Sequence, residues 1–419
     1  MGSGPSLGRR FRWLWASYAI STFGTRLAFD AFALIALLAL HAGPAEVSAL
    51  AAAGTAVGAV AAVPLGPWVE FRRKRSVMIA MDLVRFAALA SVPAAYVLGL
   101  LGFGQLLVVA VVVAAADITF NAAGGACLKA LVPAPDLIVA NGRFEATTWT
   151  ATVLGPPLGG AAVGLFGPVV TVLADAVSYL LSAAGIRAIG GGEPRPERTG
   201  APARARAGGL LEGWRYLLAH PSLRPLLFNM ALVSGLIMAT APPLAVLMLG
   251  RLGFSPWQYG LAFAVPCLGG LLGSRLSPRL VARYGQHTVL RTAGTLRACW
   301  LLGLAFVHPG VSGLVLVMAV EFGLITCMGV FNPVFATYRL TLTPSDRVAR
   351  TLSAWSVTTK LVVAALTALW GLLAAATGPR TAIVTAGVLM LATPLLLPAA
   401  EAAPARTSAP KPEGELRAR

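Results

Sequence analysis

The residues best able to do chemistry in this 419-residue chain are charges embedded in apolar runs. Five acids (Asp30, Asp82, Asp117, Asp175 and Glu321) and four bases (Arg26, Arg85, Arg297 and Lys360) sit there. An isolated charge at membrane depth costs roughly 3 kcal/mol or more, so each must face the protein interior, paired or beside water. A buried carboxyl holds a proton more tightly, and a nearby base releases it. Such groups suit proton movement. Asp30 follows Arg26 by four residues and shares its helix face, which predicts a charge pair. Asp82 and Arg85, three apart, predict a second. No base is local to Asp117 or Glu321, so these two are the expected proton carriers. Lys360 is open to two readings, neutralising Glu321 or touching an anionic substrate. Arg297, and Asp175 with Tyr179 four residues on, read as structural.

Other chemistries lack their residues. No Gly-x-x-x-x-Gly-Lys-Ser/Thr loop is present for nucleotide phosphates. His41, His220, His287 and His308 lie at or near the ends of apolar runs without metal-ligand spacing, and the four cysteines read as small buried hydrophobes. The expectation is a non-enzyme with no cofactor and no metal.

The elements that must position these charges are membrane helices. The chain is 57% hydrophobic and only 12% charged, against roughly a quarter charged in soluble proteins. Twelve apolar stretches are marked: about 13–40, 47–69, 77–100, 105–131, 146–166 and 169–186, then 226–249, 259–276, 289–307, 312–337, 352–376 and 381–397. Each can cross about 30 Å of hydrocarbon as a helix, and the first is expected to remain as an uncleaved span. Twenty-seven Lys and Arg lie on the side of the N-terminus, against Arg251 and Arg380 on the other. This asymmetry predicts cytoplasmic termini, and it assigns the net charge of +17 to membrane topology rather than to nucleic acid. Residues 190–209, rich in Gly, Pro and Arg, read as a cytoplasmic linker between bundles 1–189 and 210–400, and 401–419 as a disordered tail. Leu210–Leu218 carries Trp214, Leu217 and Leu218 on one side, which predicts a short helix at the membrane surface.

The halves echo one another. Pro133-Ala-Pro-Asp136 matches Pro344-Ser-Asp346, Arg85 matches Arg297, and Gly66 matches Gly273, all at offsets near half the chain. Gly66-Pro-Trp-Val-Glu70-Phe-Arg72-Arg73-Lys74-Arg75 and Gly155-Pro156-Pro157-Leu-Gly159-Gly160 resemble two motifs of major facilitator superfamily transporters. The run from Leu131-Val-Pro through Asp136, Ala140-Asn141 and Gly155–Gly160 to Asp175–Ser178 resembles the macrolide-efflux and siderophore-exporter branch. The loop departs from the family in having Glu70 for the usual Asp and Phe71 for a base. The fourth span also lacks the arginine of many proton-coupled relatives.

The resemblance implies an all-α fold of twelve transmembrane helices in two pseudo-symmetric six-helix bundles. It implies that the first, fourth, seventh and tenth spans line a central cavity. Arg26, Asp30, Asp117, Asn121, Asn229 and Glu321 lie on those spans, with Asn229 and Ser234 supplying polar groups from the seventh. It places Asp82 and Arg85 on a peripheral helix. Glu70 or Asp82 would hold a base as a conformational latch, and Gly155, Gly159 and Gly160 would admit a sliding neighbour beside the Pro156-Pro157 break. The implied function is export of small amphipathic molecules (drug, antibiotic or siderophore-like) against protons, by a monomer in a bacterial-type plasma membrane. Uptake or lysolipid flipping by the same fold, and a non-transporting sensor or scaffold, are the competing readings.

Overall fold

The computed structural model describes residues 7–28, 32, 35, 36, 40, 56–61, 63–190 and 211–398, without the side chains at 66, 67, 156, 157, 256 and 257. Asp30, residues 191–209 of the linker and the tail 401–419 lie outside the described residues.

The described chain is helical, without strands. In the first half α1 spans Gly8–Leu27, α2 Leu65–Glu70, α3 Lys74–Val97, α4 Phe103–Leu131, α5 Leu137–Phe166 and α6 Pro168–Ala188. In the second, α7 spans Glu212–Ala219, α8 Leu223–Ala245, α9 Pro256–Ala264, α10 Cys267–Tyr284, α11 Gln286–Trp300, α12 Val311–Leu342, α13 Val348–Thr377 and α14 Pro379–Ala392. Among the described residues, nine segments are long and apolar enough to cross a membrane. Together with α1 and α5 they are consistent with the twelve-helix arrangement expected from the sequence. The face on which α1 begins is called the basic face below.

Each half packs on itself first. In the first, α3 lies against α4 and α6, and α1 against α5 and α6; in the second, α10 lies against α12, α8 against α13, and α11 against α12. The halves meet through α5 on α10 and α12, and through α13 on α2 and α4. An apolar cluster crosses this seam on the basic face, with Phe11, Val69 and Met78 packed together with Leu340, Val348 and Leu352. Burial of that surface draws the halves together there.

Glycines set the closest approaches. A Cβ on Gly155 would lie 2.5 Å from the Cβ of Arg26, and one on Gly159 would run into the carbonyl of Leu27, so α1 and α5 cross almost backbone to backbone. Gly160 has open space around it and makes no such contact. The helix runs through 155–160 without interruption, which does not match the expected break. α7 forms where the amphipathic segment was expected. Its Leu217 is fully buried and Trp214 Nε1 donates to Thr358 Oγ1 at 2.9 Å, so this face lies against α13, while Leu218 is exposed.

Candidate functional site

Two charged assemblies join the halves. The first closes the basic face. Glu70 ends α2 and is buried, where it meets the guanidinium of Arg350 from α13; the same guanidinium holds Glu212 of α7. Lys74 Nζ donates to the carbonyls of Val69 (2.9 Å) and Glu70 (2.6 Å), neutralising the C-terminal end of α2. Burial pushes the Glu70 carboxyl up to about 7, although Arg350 and Lys74 pull the other way. Glu70 thus holds a base in this structure, and that base comes from the other half rather than from the basic loop. Arg75 Nη1 instead donates to the Gly190 carbonyl at 2.6 Å, Arg72 lies over Trp68, and Asp82 takes no part. Further cross-half bonds surround the pair: Lys129 to the Thr343 carbonyl, Asn141 Nδ2 to Thr337 Oγ1 at 3.0 Å, and Asn332 Nδ2 to Glu145 Oε1 at 2.8 Å. Glu145 also accepts from Trp149 Nε1 at 2.9 Å, and the Trp149 ring lies on Gly270 of α10.

The second assembly lies at mid-depth. Arg85, in the middle of α3, is buried between the rings of Phe120 (4.4 Å) and Tyr179 (4.2 Å). It pairs tightly with Asp82 and reaches Asp117 Oδ1 at 3.5 Å. Asp117 Oδ2 lies 3.7 Å from Lys360 Nζ of α13. The Asp117 carboxylate thus bridges a base fixed in its own bundle and a base on the other. Its side chain is 42% exposed and that of Lys360 33%, and Asn121, one turn along, is exposed beside them. These partly exposed groups lie on the spans expected to line the central cavity and on α13 beside them.

This geometry corrects several sequence expectations. Asp117 does have local bases, both unseen from its own helix. Asp82 and Arg85 do pair, on a helix packed against its own half, but the pair is buried and continues into the charged centre through Asp117. Lys360 neutralises Asp117 rather than Glu321. Asn229 does not line the cavity: it is fully buried, donates to the Thr393 carbonyl at 2.7 Å and accepts from Arg297. Glu321 is buried in α12 with no hydrogen bond or ion pair among the described residues. Arg26 on α1 lies against Gly155 of α5. Sequence reasoning missed Glu145, Asn332 and Arg350. The i, i+4 spacing of Glu145 and Trp149 was the available signal, since it places an indole donor against a carboxylate.

Two helical bundles meeting around a charged, partly exposed centre define a polytopic membrane protein. The model of the Major Facilitator Superfamily matches residues 14–337, and the chain belongs to that family. It is 26% identical over 258 residues to the multidrug efflux pump Tap of Mycobacterium tuberculosis (strain ATCC 25618 / H37Rv), a match covering 58% of this chain and 59% of that protein. It is 28% identical over 256 residues to the multidrug efflux pump Tap of Mycolicibacterium fortuitum, covering 57% and 58%. The chain therefore spans about three-fifths of the length of the curated relatives it matches. In fold it is similar to a bacterial homologue of the iron transporter ferroportin in an outward-facing state, with TM-score 0.78, 17% identity, and 93% and 98% of the two chains covered. It is also similar to the human organic anion transporter MFSD10, with TM-score 0.75, 15% identity, and 93% and 99% covered.

Proposed function

We propose that this protein exports small amphipathic molecules across a bacterial-type plasma membrane by alternating access, driven by protons moving inward. Both termini are then cytoplasmic, the basic face is the cytoplasmic one, and the working unit is a monomer of two bundles, 1–189 and 210–400. The protein carries out no covalent catalysis. One observation carries the reading. Every cross-half hydrogen bond and ion pair between described residues lies from the basic face to mid-depth, and the Asp117–Lys360 bridge is the deepest of them. The halves are clamped at one end, and a loosely held charge pair faces the cavity at the limit of the clamp. The two multidrug pumps named above supply the direction of transport by analogy.

In this scheme Glu321, which has no ion pair among the described residues, takes a proton from the outer side. Asp117 exchanges partners as the halves rock: Lys360 leaves it when the basic face opens, and Arg85 holds it in place. Breaking a buried pair leaves a desolvated charge that must be neutralised, so substrate or proton arrival at this centre becomes linked to the rocking. The test is dye efflux from liposomes under an imposed pH gradient, with Glu321→Gln and Asp117→Asn variants. Loss of gradient-driven transport in either variant, with counterflow of preloaded substrate retained, is the expected result. Undiminished proton-coupled transport in both rejects the assignment, and absence of counterflow in the unaltered protein rejects transport itself.

A further inference from the structure

The outer wall of the first bundle holds a site that the central cavity does not use. α6 packs against α1, α3 and α5, all of its own bundle, so its remaining apolar face meets lipid. Along the seam between α6 and α1 runs a groove of about 390 Å³. Ile20, Phe23 and Leu27 form one wall, Val177 and Leu181 the other, and Asp175 lies at the floor. Ile20, Val177 and Leu181 are exposed, whereas Asp175 is only 6% exposed.

The carboxylate is poorly served by its surroundings. Its Oδ1 receives two long contacts, from Thr25 Oγ1 at 3.4 Å and Ser178 Oγ at 3.3 Å. Each hydroxyl has a shorter bond elsewhere, Thr25 to the Ser21 carbonyl at 3.0 Å and Ser178 to the Asp175 carbonyl at 2.7 Å. Oδ2 makes no hydrogen bond among the described residues. The nearest cation, Arg85, is engaged by Asp82 and Asp117, and Lys360 is drawn to Asp117 from the other half. The centre therefore has three carboxylates and two bases, and the acid without an ion pair among the described residues is the one that opens onto an apolar, lipid-facing groove. A buried anion in that position favours a cation brought in with its own apolar body.

We propose that the α1–α6 groove binds a lipophilic ammonium compound from the bilayer. Its hydrocarbon body lies between Ile20, Phe23, Leu27, Val177 and Leu181, and its cationic head rests on Asp175. The site lies outside the central cavity, and its occupancy does not depend on the chain being a transporter.

The test uses the full chain in phosphatidylcholine nanodiscs and a diazirine-bearing alkyl-dimethylbenzylammonium probe, with a neutral isostere carrying carbon for nitrogen. Saturable labelling of α1 and α6 peptides is expected. Asp175→Asn should weaken binding of the ammonium probe about tenfold without changing that of the isostere. Leu181→Trp, on the lipid face, should block the groove with Asp175 intact, which keeps the test available should Asp175→Asn fail to fold. The proposal is overturned by labelling that does not saturate, by equal binding of the isostere, by binding indifferent to both variants, or by labelling on α4 and α13 that Asp117→Asn removes.

Discussion

The two halves each bury one arginine at the same place, and they treat it differently. Arg85 in α3 and Arg297 in α11 both lie over a phenylalanine of the following long helix, Phe120 at 4.4 Å and Phe331 at 3.6 Å. Around Arg85 stand Asp82 and Asp117. In the corresponding positions around Arg297 stand Gly294 and Met328. Its partners are instead the Asn229 side-chain oxygen Oδ1 and the Met230 sulfur at 3.5 Å. The repeated element is thus an arginine stacked on a ring, which ties helices within a bundle. Only the first half adds carboxylates, and only there does the arrangement reach the other half. A neutral clamp holds one geometry; a clamp with an exchangeable carboxylate can exist in two.

The largest effect that tests this contrast is on stability. Arg85→Met leaves Asp82 buried without a counter-charge and should cost about 3–5 kcal/mol. Arg297→Met removes a lone buried charge along with its amide bond and ring contact, so these terms oppose and the loss should be less than half as large. Thermal unfolding of the purified variants measures both, and equal losses would break the comparison. Adding Asp82→Asn to Arg85→Met should recover most of the loss, whereas Asn229→Leu added to Arg297→Met should change little. A double-mutant cycle reads this directly.

Next in size is the clamp on the basic face. Arg350→Met strands Glu70 and Glu212 together and should raise cysteine-reagent access to that face several-fold, while leaving access near Arg297 unchanged. Smaller still is the pH effect. Glu70 is buried in the clamped form, where its pKa is about 7; exposed by opening, it returns toward about 4.3. The clamped form therefore binds the extra proton between these values, and its advantage is full below the lower one. That advantage declines as pH rises through 7. Access to the basic face should increase between pH 6 and 8 and should lose this dependence in Glu70→Gln.

Much of the fold was legible because hydrophobic run length alone sets a membrane helix. The stretch expected at about 105–131 is α4, Phe103–Leu131, and that expected at 312–337 lies within α12, Val311–Leu342. α5 begins at Leu137 rather than near Ala146 because Asn141 and Glu145 make polar contacts across the seam, which a hydropathy window reads as the end of a helix. The same limit hid the site. Asp82 and Arg85 were visible as a pair through their spacing on one helix. The bases beside Asp117 were not, since one comes from α3 and the other from α13. Arg350 looked like one more cytoplasmic base, and only the docking of α13 on α2 sets it against Glu70.

The central claim is that the halves rock about the Asp117–Lys360 centre, with the Glu70–Arg350 clamp closed at one extreme. Spin labels at Leu131 and Thr341, near the basic face, and a second pair at Leu100, just beyond the end of α3, and Val311, at the start of α12, report the two openings by pulsed electron resonance in a cysteine-free background. Raising the pH from 6 to 8 should lengthen the first distance and shorten the second, and Lys360→Met should shift the balance between them. Distances that change in the same direction, or that stay fixed in every condition, would contradict the account.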